Sequence, residues 1–319
     1  MKLLTYDSGS GPRCGVLSGD LVVDVSALLG CDQTLRDVRA LLELPDSPID
    51  RVRDALESDI ATPAVPLAHV RLRAPVLQPP TVRDFFSFEG HASGQGARDL
   101  HEAWYRLPVF YFSNTLRIFG PEDEVPFPLA SERLDYEMEL GCVIGREGSD
   151  IAAADGLDYI AGFCIFNDFS ARDLQFDEMA VGLGPAKGKD SATCLGPWLV
   201  TTDEMTPYLR EDRLHVKCTV RVNGDVWLDG GDGGAAHHSW GDFVERASKD
   251  SRIVPGDVLG SGTVSGGSIP EAIALGIDGA RYLQPGDVVE LEVEGIGRLR
   301  NTLGPQGNVD PEYRYKPKT

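Results

Sequence analysis

The stretch LDYEMELGCVIG (Leu134–Gly145) decides how this chain is read. As a β-strand it alternates: Leu134, Tyr136, Met138 and Leu140 face one way, and Asp135, Glu137 and Glu139 the other. Glu137 and Glu139 then share a face, about 7 Å apart along the strand. Two carboxylates that close repel each other unless positive charge lies between them, and a hard divalent cation with oxygen ligands suits the spacing. Taken alone, E-x-E is first of all the solvated face of an amphipathic strand. The run YIAGFCIFND (Tyr159–Asp168) shifts that balance. It reads as a buried strand ending in a carboxylate, Asp168, with Ser170, Arg172, Asp173 and Gln175 close behind. A charge cluster at the end of a buried strand is where sites are built.

The 319 residues suffice for one large domain and a small one. Glycine (36) and proline (21) are abundant, and Val-rich runs recur between turn signals, which favours a β-rich α+β fold over a helical bundle. Lys and Arg total 30 against 50 Asp and Glu, a net charge of −20. Such a surface repels phosphate backbones and anionic membranes, so neither nucleic acid nor membrane is expected as a partner. Halophilic adaptation produces the same imbalance. Six scattered cysteines form no C-x-x-C and no Cys/His pair of zinc spacing. MKLLTYDSGSGP lacks a hydrophobic core of signal-peptide length, and no apolar run reaches membrane-spanning length, so a cytoplasmic location is expected.

Residues 1–75 read as a small α+β N-terminal domain, with KLLTYD, CGVLSG and LVVDVSALLG as short strands. TLRDVRALLELP and SPIDRVRDALESD have helical spacing, the second starting at Ser47-Pro48. The span Pro63–Pro80 reads as a linker plus an edge strand. The main domain is placed at 76–319. Its Gly-rich stretch Glu89–Arg98 carries His91 and is either a mobile lid or an ordinary surface loop. Arg172 serves either a salt bridge to Asp173 or another acid, or function. The segment GPAKGK (Gly184–Lys189) is not a phosphate-binding loop. Asn223-Gly224 marks a hairpin, and His237-His238 the start of a surface helix. Glu290, Glu292 and Glu294 also alternate and read as a solvated strand face.

Together these segments resemble the fumarylacetoacetate hydrolase superfamily over roughly residues 80–305. RDFFSFEGHA resembles the family segment that bears a metal-binding aspartate and, seven residues on, a catalytic histidine, which assigns those roles to Asp84 and His91. YEMEL matches the family's E-x-E metal motif, at Glu137 and Glu139. FNDFSARDLQ is the most diagnostic piece: the resemblance gives Asp168 to the metal, and Arg172 and Gln175 to the substrate. GPAKGK places the active-site lysine on Lys189, SGTVSG a substrate-contacting threonine on Thr263, and LPVFYF a substrate-binding tyrosine on Tyr111. The glutamate that polarises the histidine in fumarylacetoacetase falls in a segment where Glu271 is the nearest acid. Two tyrosines of the family pattern are Phe86 and Met179 here, which implies a different substrate pocket.

The resemblance implies a mixed β-sandwich or roll with a smaller N-terminal domain, assembled as a homodimer. Four carboxylates and no soft ligand suit Mg²⁺, Mn²⁺ or Ca²⁺. The implied activity is divalent-metal-dependent hydrolysis of a C–C bond in a small diketone or oxo acid, a 1,3-dicarbonyl or an acylpyruvate, through a metal-stabilised enolate and a water activated by His91. Lys189, Arg172 and Gln175 would stabilise oxyanion charge. Decarboxylation or tautomerisation of a 2-oxo acid on the same metal site is the alternative, and a non-catalytic, metal-stabilised binding protein is a third.

Overall fold

The computed structural model describes residues 1–58 and 62–308; the last residue of the expected helical segment Ser47–Asp59 and the last eleven of the expected 76–319 domain lie outside it. The apolar runs pair into two large sheets. The main one takes its strands in the order Ala64–Pro66, Leu21–Asp24, Pro12–Ser18, Lys2–Asp7, Thr193–Thr201, Ile160–Asp168, Met138–Ile144, Val258–Gly260, Val82–Phe85 and Phe110–Phe112. Most neighbours are antiparallel, but Val258–Gly260 runs parallel to Val82–Phe85, so the sheet is mixed. A second, five-stranded sheet holds Asp225–Asp232, Lys217–Val222, Val288–Val293, Gly297–Gln306 and Glu124–Phe127.

The two sheets share one core. Leu140, Cys142, Phe163 and Ile165 of the first meet Val220, Leu291 and Leu299 of the second in a single buried cluster. Removing that apolar surface from water is the main force holding the layers together. The fold is therefore the β-rich mixed sandwich expected, with short helices at its margins. On the reverse face, Val143, Cys164 and Phe166 pack with Leu3, Val16, Leu41 and Val52 from the first fifty-odd residues. Strand Lys2–Asp7 joins the main sheet directly, pairing Lys2 with Val200 and Leu3 with Leu199, so the sheet runs unbroken across residue 75. Pro48 begins its helix as expected, and Ala64–Pro66 is the edge strand expected of the Pro-rich span.

The deciding stretch departs from its reading in one respect: it is two strands, not one. Leu134–Asp135 pairs with Ser170–Ala171, and Met138–Ile144 pairs with the strand Ile160–Asp168. At the break the Glu137 N–H donates to the Asn167 side-chain oxygen at 3.1 Å, taking the place of a ladder bond. The alternation survives the break. Leu134, Tyr136, Met138 and Leu140 all enter the shared core. The acidic side is not solvated: Asp135, Glu137 and Glu139 are 0%, 3% and 0% exposed. Burying three carboxylates is costly unless each finds a counter-charge or donors. Glu292, by contrast, lies exposed on its strand beside Arg221 at 2.7 Å, as a solvated face requires.

Asn223 and Gly224 both take positive φ (54° and 92°), closing the expected hairpin. The helix after His237-His238, Trp240–Ser248, is less of a surface element than expected, since Phe243, Val244 and Ala247 sink into the core. Among the described residues no helix is long and apolar enough to cross a membrane.

Candidate active site

Four carboxylates converge where the main sheet's central strands end. Asp84 comes from Val82–Phe85, Glu137 from the break, Glu139 from Met138–Ile144 and Asp168 from the end of Ile160–Asp168. One oxygen of each lies within 4.8 Å of the others, and all four residues are buried. The intervening strand makes this meeting possible. Gly260 stands between Asp84 and the Met138–Ile144 strand, and a Cβ there would lie 2.5 Å from Asp84 Oδ1 and 3.1 Å from Glu139 Oε2. Only a residue without a side chain lets the two carboxylates reach across. Gly262 takes φ +81° and donates its N–H to Glu139 Oε2 at 3.1 Å, while Thr263 donates its hydroxyl to Glu139 Oε1 at 3.3 Å.

Two cations answer this charge. Lys189 donates to Glu137 and lies 2.6 Å from Asp168 Oδ2. Arg172 donates Nε and Nη2 to Asp135 Oδ2 at 2.7 and 2.5 Å, Nη2 also to Glu137 at 2.5 Å, and Nη1 to Gln175 at 2.9 Å. The partner of Arg172 is therefore not its neighbour Asp173, which accepts instead from Ser131 and the Glu132 N–H. Tyr111 donates its hydroxyl to Asp168.

The cations do not balance the site. Burial, reinforced by Asp168, pushes the Asp84 carboxyl up to about 8. Burial and the nearby Asp84 push Glu139 well above the carboxylate range. Burial also raises Asp168, against the pull of Lys189. Glu137 alone goes the other way: burial opposes its charge, but Arg172 and Lys189 together hold it below the ordinary value. Among the described residues, Asp84 Oδ1 and Asp168 Oδ1 are buried with no hydrogen-bond partner. Orphaned buried oxygens are rare in native proteins. An all-oxygen set with unclaimed lone pairs and surplus negative charge fits a hard divalent cation, and Asp84, Glu137, Glu139 and Asp168 are the residues that would hold it.

His91 stands beside this cluster on the short helix Glu89–Ala92. Its Nδ1 lies 2.8 Å from Glu271 Oε2, and its Nε2 is 3.6 Å from Glu137 Oε1. Glu271, on the helix Ile269–Ala274, is held in turn by the Ser268 hydroxyl at 2.7 Å, the Gly266 N–H at 2.9 Å and the Gln95 amide at 2.6 Å. Burial works against its charge, but the bond to His91 keeps its carboxyl below the ordinary range. A carboxylate on Nδ1 fixes the ring and turns Nε2 toward Glu137 and the cavity.

A cavity of about 610 Å³ opens onto these groups. Ten of the eleven residues singled out in the sequence line it: Asp84, His91, Tyr111, Glu137, Glu139, Arg172, Gln175, Lys189, Thr263 and Glu271. The eleventh, Asp168, lies just beneath as a member of the carboxylate cluster. Sequence reasoning overlooked Gly260, Asp135, Gln95 and Ser268. A glycine inside a strand was the one available signal, marking a close approach.

A family model of the fumarylacetoacetate (FAA) hydrolase C-terminal domain matches residues 81–304. The chain belongs to this family of enzymes. Mitochondrial oxaloacetate tautomerase FAHD2A of Homo sapiens is 30% identical over 297 residues, covering 92% of this chain and 88% of that protein. The structure of fumarylacetoacetate hydrolase from psychrophilic Exiguobacterium antarcticum superposes with a TM-score of 0.72 at 26% identity, over 96% of this chain and 99% of the other. That of 5-carboxymethyl-2-hydroxymuconate delta-isomerase from Mycobacterium smegmatis does so with a TM-score of 0.67 at 26% identity, over 96% and 100%. The relatives thus include a hydrolase, an isomerase and a tautomerase.

Proposed function

We propose that the protein is a divalent-metal-dependent enzyme that hydrolyses the C–C bond of an acylpyruvate or related 1,3-dicarbonyl. The carrying observation is the pairing of a surplus-charged carboxylate cluster, with two orphaned oxygens, and a His91–Glu271 dyad on the wall of one cavity. A bound Mg²⁺ or Mn²⁺ would supply Lewis-acid polarisation of the substrate carbonyl oxygens. His91 Nε2 takes a proton from water, and the resulting hydroxide adds to the acyl carbonyl carbon. Glu271 stabilises the imidazolium that forms. Lys189 has three donors, two of them engaged by Glu137 and Asp168, which leaves one for developing oxyanion charge. When the C–C bond breaks, its electron pair passes to the oxo-acid fragment, and the proton held on His91 returns to that carbon.

Tautomerisation of a 2-oxo acid is the second reading, favoured by the similarity to the human oxaloacetate tautomerase. The same Nε2 would then move a proton between carbon and oxygen with no water consumed. Mass spectrometry and ultraviolet absorbance, followed on acetylpyruvate and oxaloacetate, separate the two. Two acids support hydrolysis; faster loss of the ultraviolet absorbance of enol oxaloacetate, with no change of mass, replaces it with tautomerisation.

A further inference from the structure

Beyond the carboxylates the cavity changes character. The helix Arg172–Val181 runs from its floor to its mouth. Residues spaced three, four and seven apart share a helix face, so Arg172, Gln175, Phe176 and Met179 form one row, about 10 Å long at the helical rise. The first two are buried against the charged site. Phe176 and Met179, by contrast, line the cavity while 50% and 47% exposed. The helix Ile269–Ala274 supplies the opposite wall with Pro270 and Ala274, on either side of Glu271. Phe86 and Val109 add to the apolar lining, while Ser93, Gln95 and Arg98 bring polar groups to it; the Phe86 ring meets that of His91 edge-on at 5.6 Å. The cations at the floor already face carboxylates: Arg172 binds Asp135 and Glu137, and Lys189 binds Glu137 and Asp168. Arg98, at the rim, donates Nε to the Ala92 carbonyl at 2.9 Å.

We propose that this mouth is a subsite for an uncharged, apolar acyl tail, so that the substrate is a 2-oxo acid bearing an extended alkyl or aryl acyl group. The inference rests on the reading above that the oxo-acid head sits at the carboxylate cluster. A tail of about six carbons reaches from that head to Met179, trading water for contact with Phe176, Met179, Pro270 and Ala274. A charged tail end would lose hydration against the same surface and meet one cation there, Arg98 at the rim.

The test is calorimetric titration of the Mg²⁺-supplemented protein with 2-oxobutanoate, 2-oxohexanoate, 2-oxooctanoate and 2-oxooctanedioate, none of which has a second carbonyl to be cleaved. Affinity is expected to rise about fourfold per added methylene, and the dioate to bind at least about tenfold more weakly than 2-oxooctanoate. Met179→Asp should narrow the ratio between longest and shortest tails. Flat dependence on length overturns the proposal. So does a dioate preference that Arg98→Ala abolishes, which would make the mouth an anion subsite. If Met179→Asp changes the sedimentation coefficient but not the length dependence, the apolar face belongs to contacts between copies and the proposal falls. Binding of 2-oxobutanoate that ignores metal removal counts against the head-group reading instead, and the length series still reads the mouth.

Discussion

His91 Nδ1 and Glu271 Oε2 lie 2.8 Å apart across 180 residues of sequence. One residue sits on a short helix after the strand Val82–Phe85, the other on a helix after the strand Val258–Gly260, and these two strands run side by side in parallel. The sheet thus brings the proposed base and its orienting acid together. Glu271→Gln keeps the shape but removes the charge that stabilises imidazolium. Turnover is expected to fall by about 100-fold or more, with Mn²⁺ binding retained. Unchanged turnover would remove Glu271 from the mechanism.

Lys189 is buried between Glu137 and Asp168. Lys189→Met leaves buried Asp168 without its cation and Glu137 with Arg172 alone, so the metal-free protein should lose about 3 kcal/mol of stability. The rise in melting temperature on adding Mg²⁺ should then be larger in the variant than in the wild type. An equal rise in both would mean that the lysine and the ion do not answer the same charge.

Gly260 tests the architecture without touching an ionisable group. Gly260→Ala puts a methyl group 2.5 Å from Asp84 Oδ1 and 3.1 Å from Glu139 Oε2. Metal affinity measured by calorimetry should drop by more than tenfold, about 1.4 kcal/mol. An affinity unaltered by the methyl group would show that Asp84 and Glu139 need not meet.

The buried acids also set a pH dependence. Asp84 moves from 3.8 to about 8 in the folded protein, so the native state keeps a proton that the unfolded chain has lost. Stability of the metal-free protein should therefore fall as pH rises from about 4 towards 8. Metal must displace the same proton, so apparent Mg²⁺ affinity should rise over pH 6–8. Thermal melts and titrations across that range check both signs; a metal-free protein that gains stability towards pH 8 would contradict them.

Much of this was legible beforehand, for identifiable reasons. Strand Ile160–Asp168 is buried at every position, as its unbroken apolar run implied. The two-residue period of Leu134–Leu140 sorted core from acid correctly even though the strand breaks there. Whether the acidic side met water was not legible, because Glu137–Glu139 and Glu290–Glu292 share one pattern and differ only in what the sheet lays over them. Arg172 found Asp135 rather than Asp173, since adjacent helical residues do not face each other. The role of Gly260 rests on its neighbours across two strand pairings, which local sequence does not encode.

The most direct test is titration of chelator-stripped protein with Mn²⁺, following bound ion by electron paramagnetic resonance and acetylpyruvate cleavage in the same samples. The account predicts one ion per chain, turnover that grows in proportion to bound ion, and loss of both in Asp84→Asn. Full turnover by the metal-free protein, or undiminished ion binding in Asp84→Asn, would contradict it.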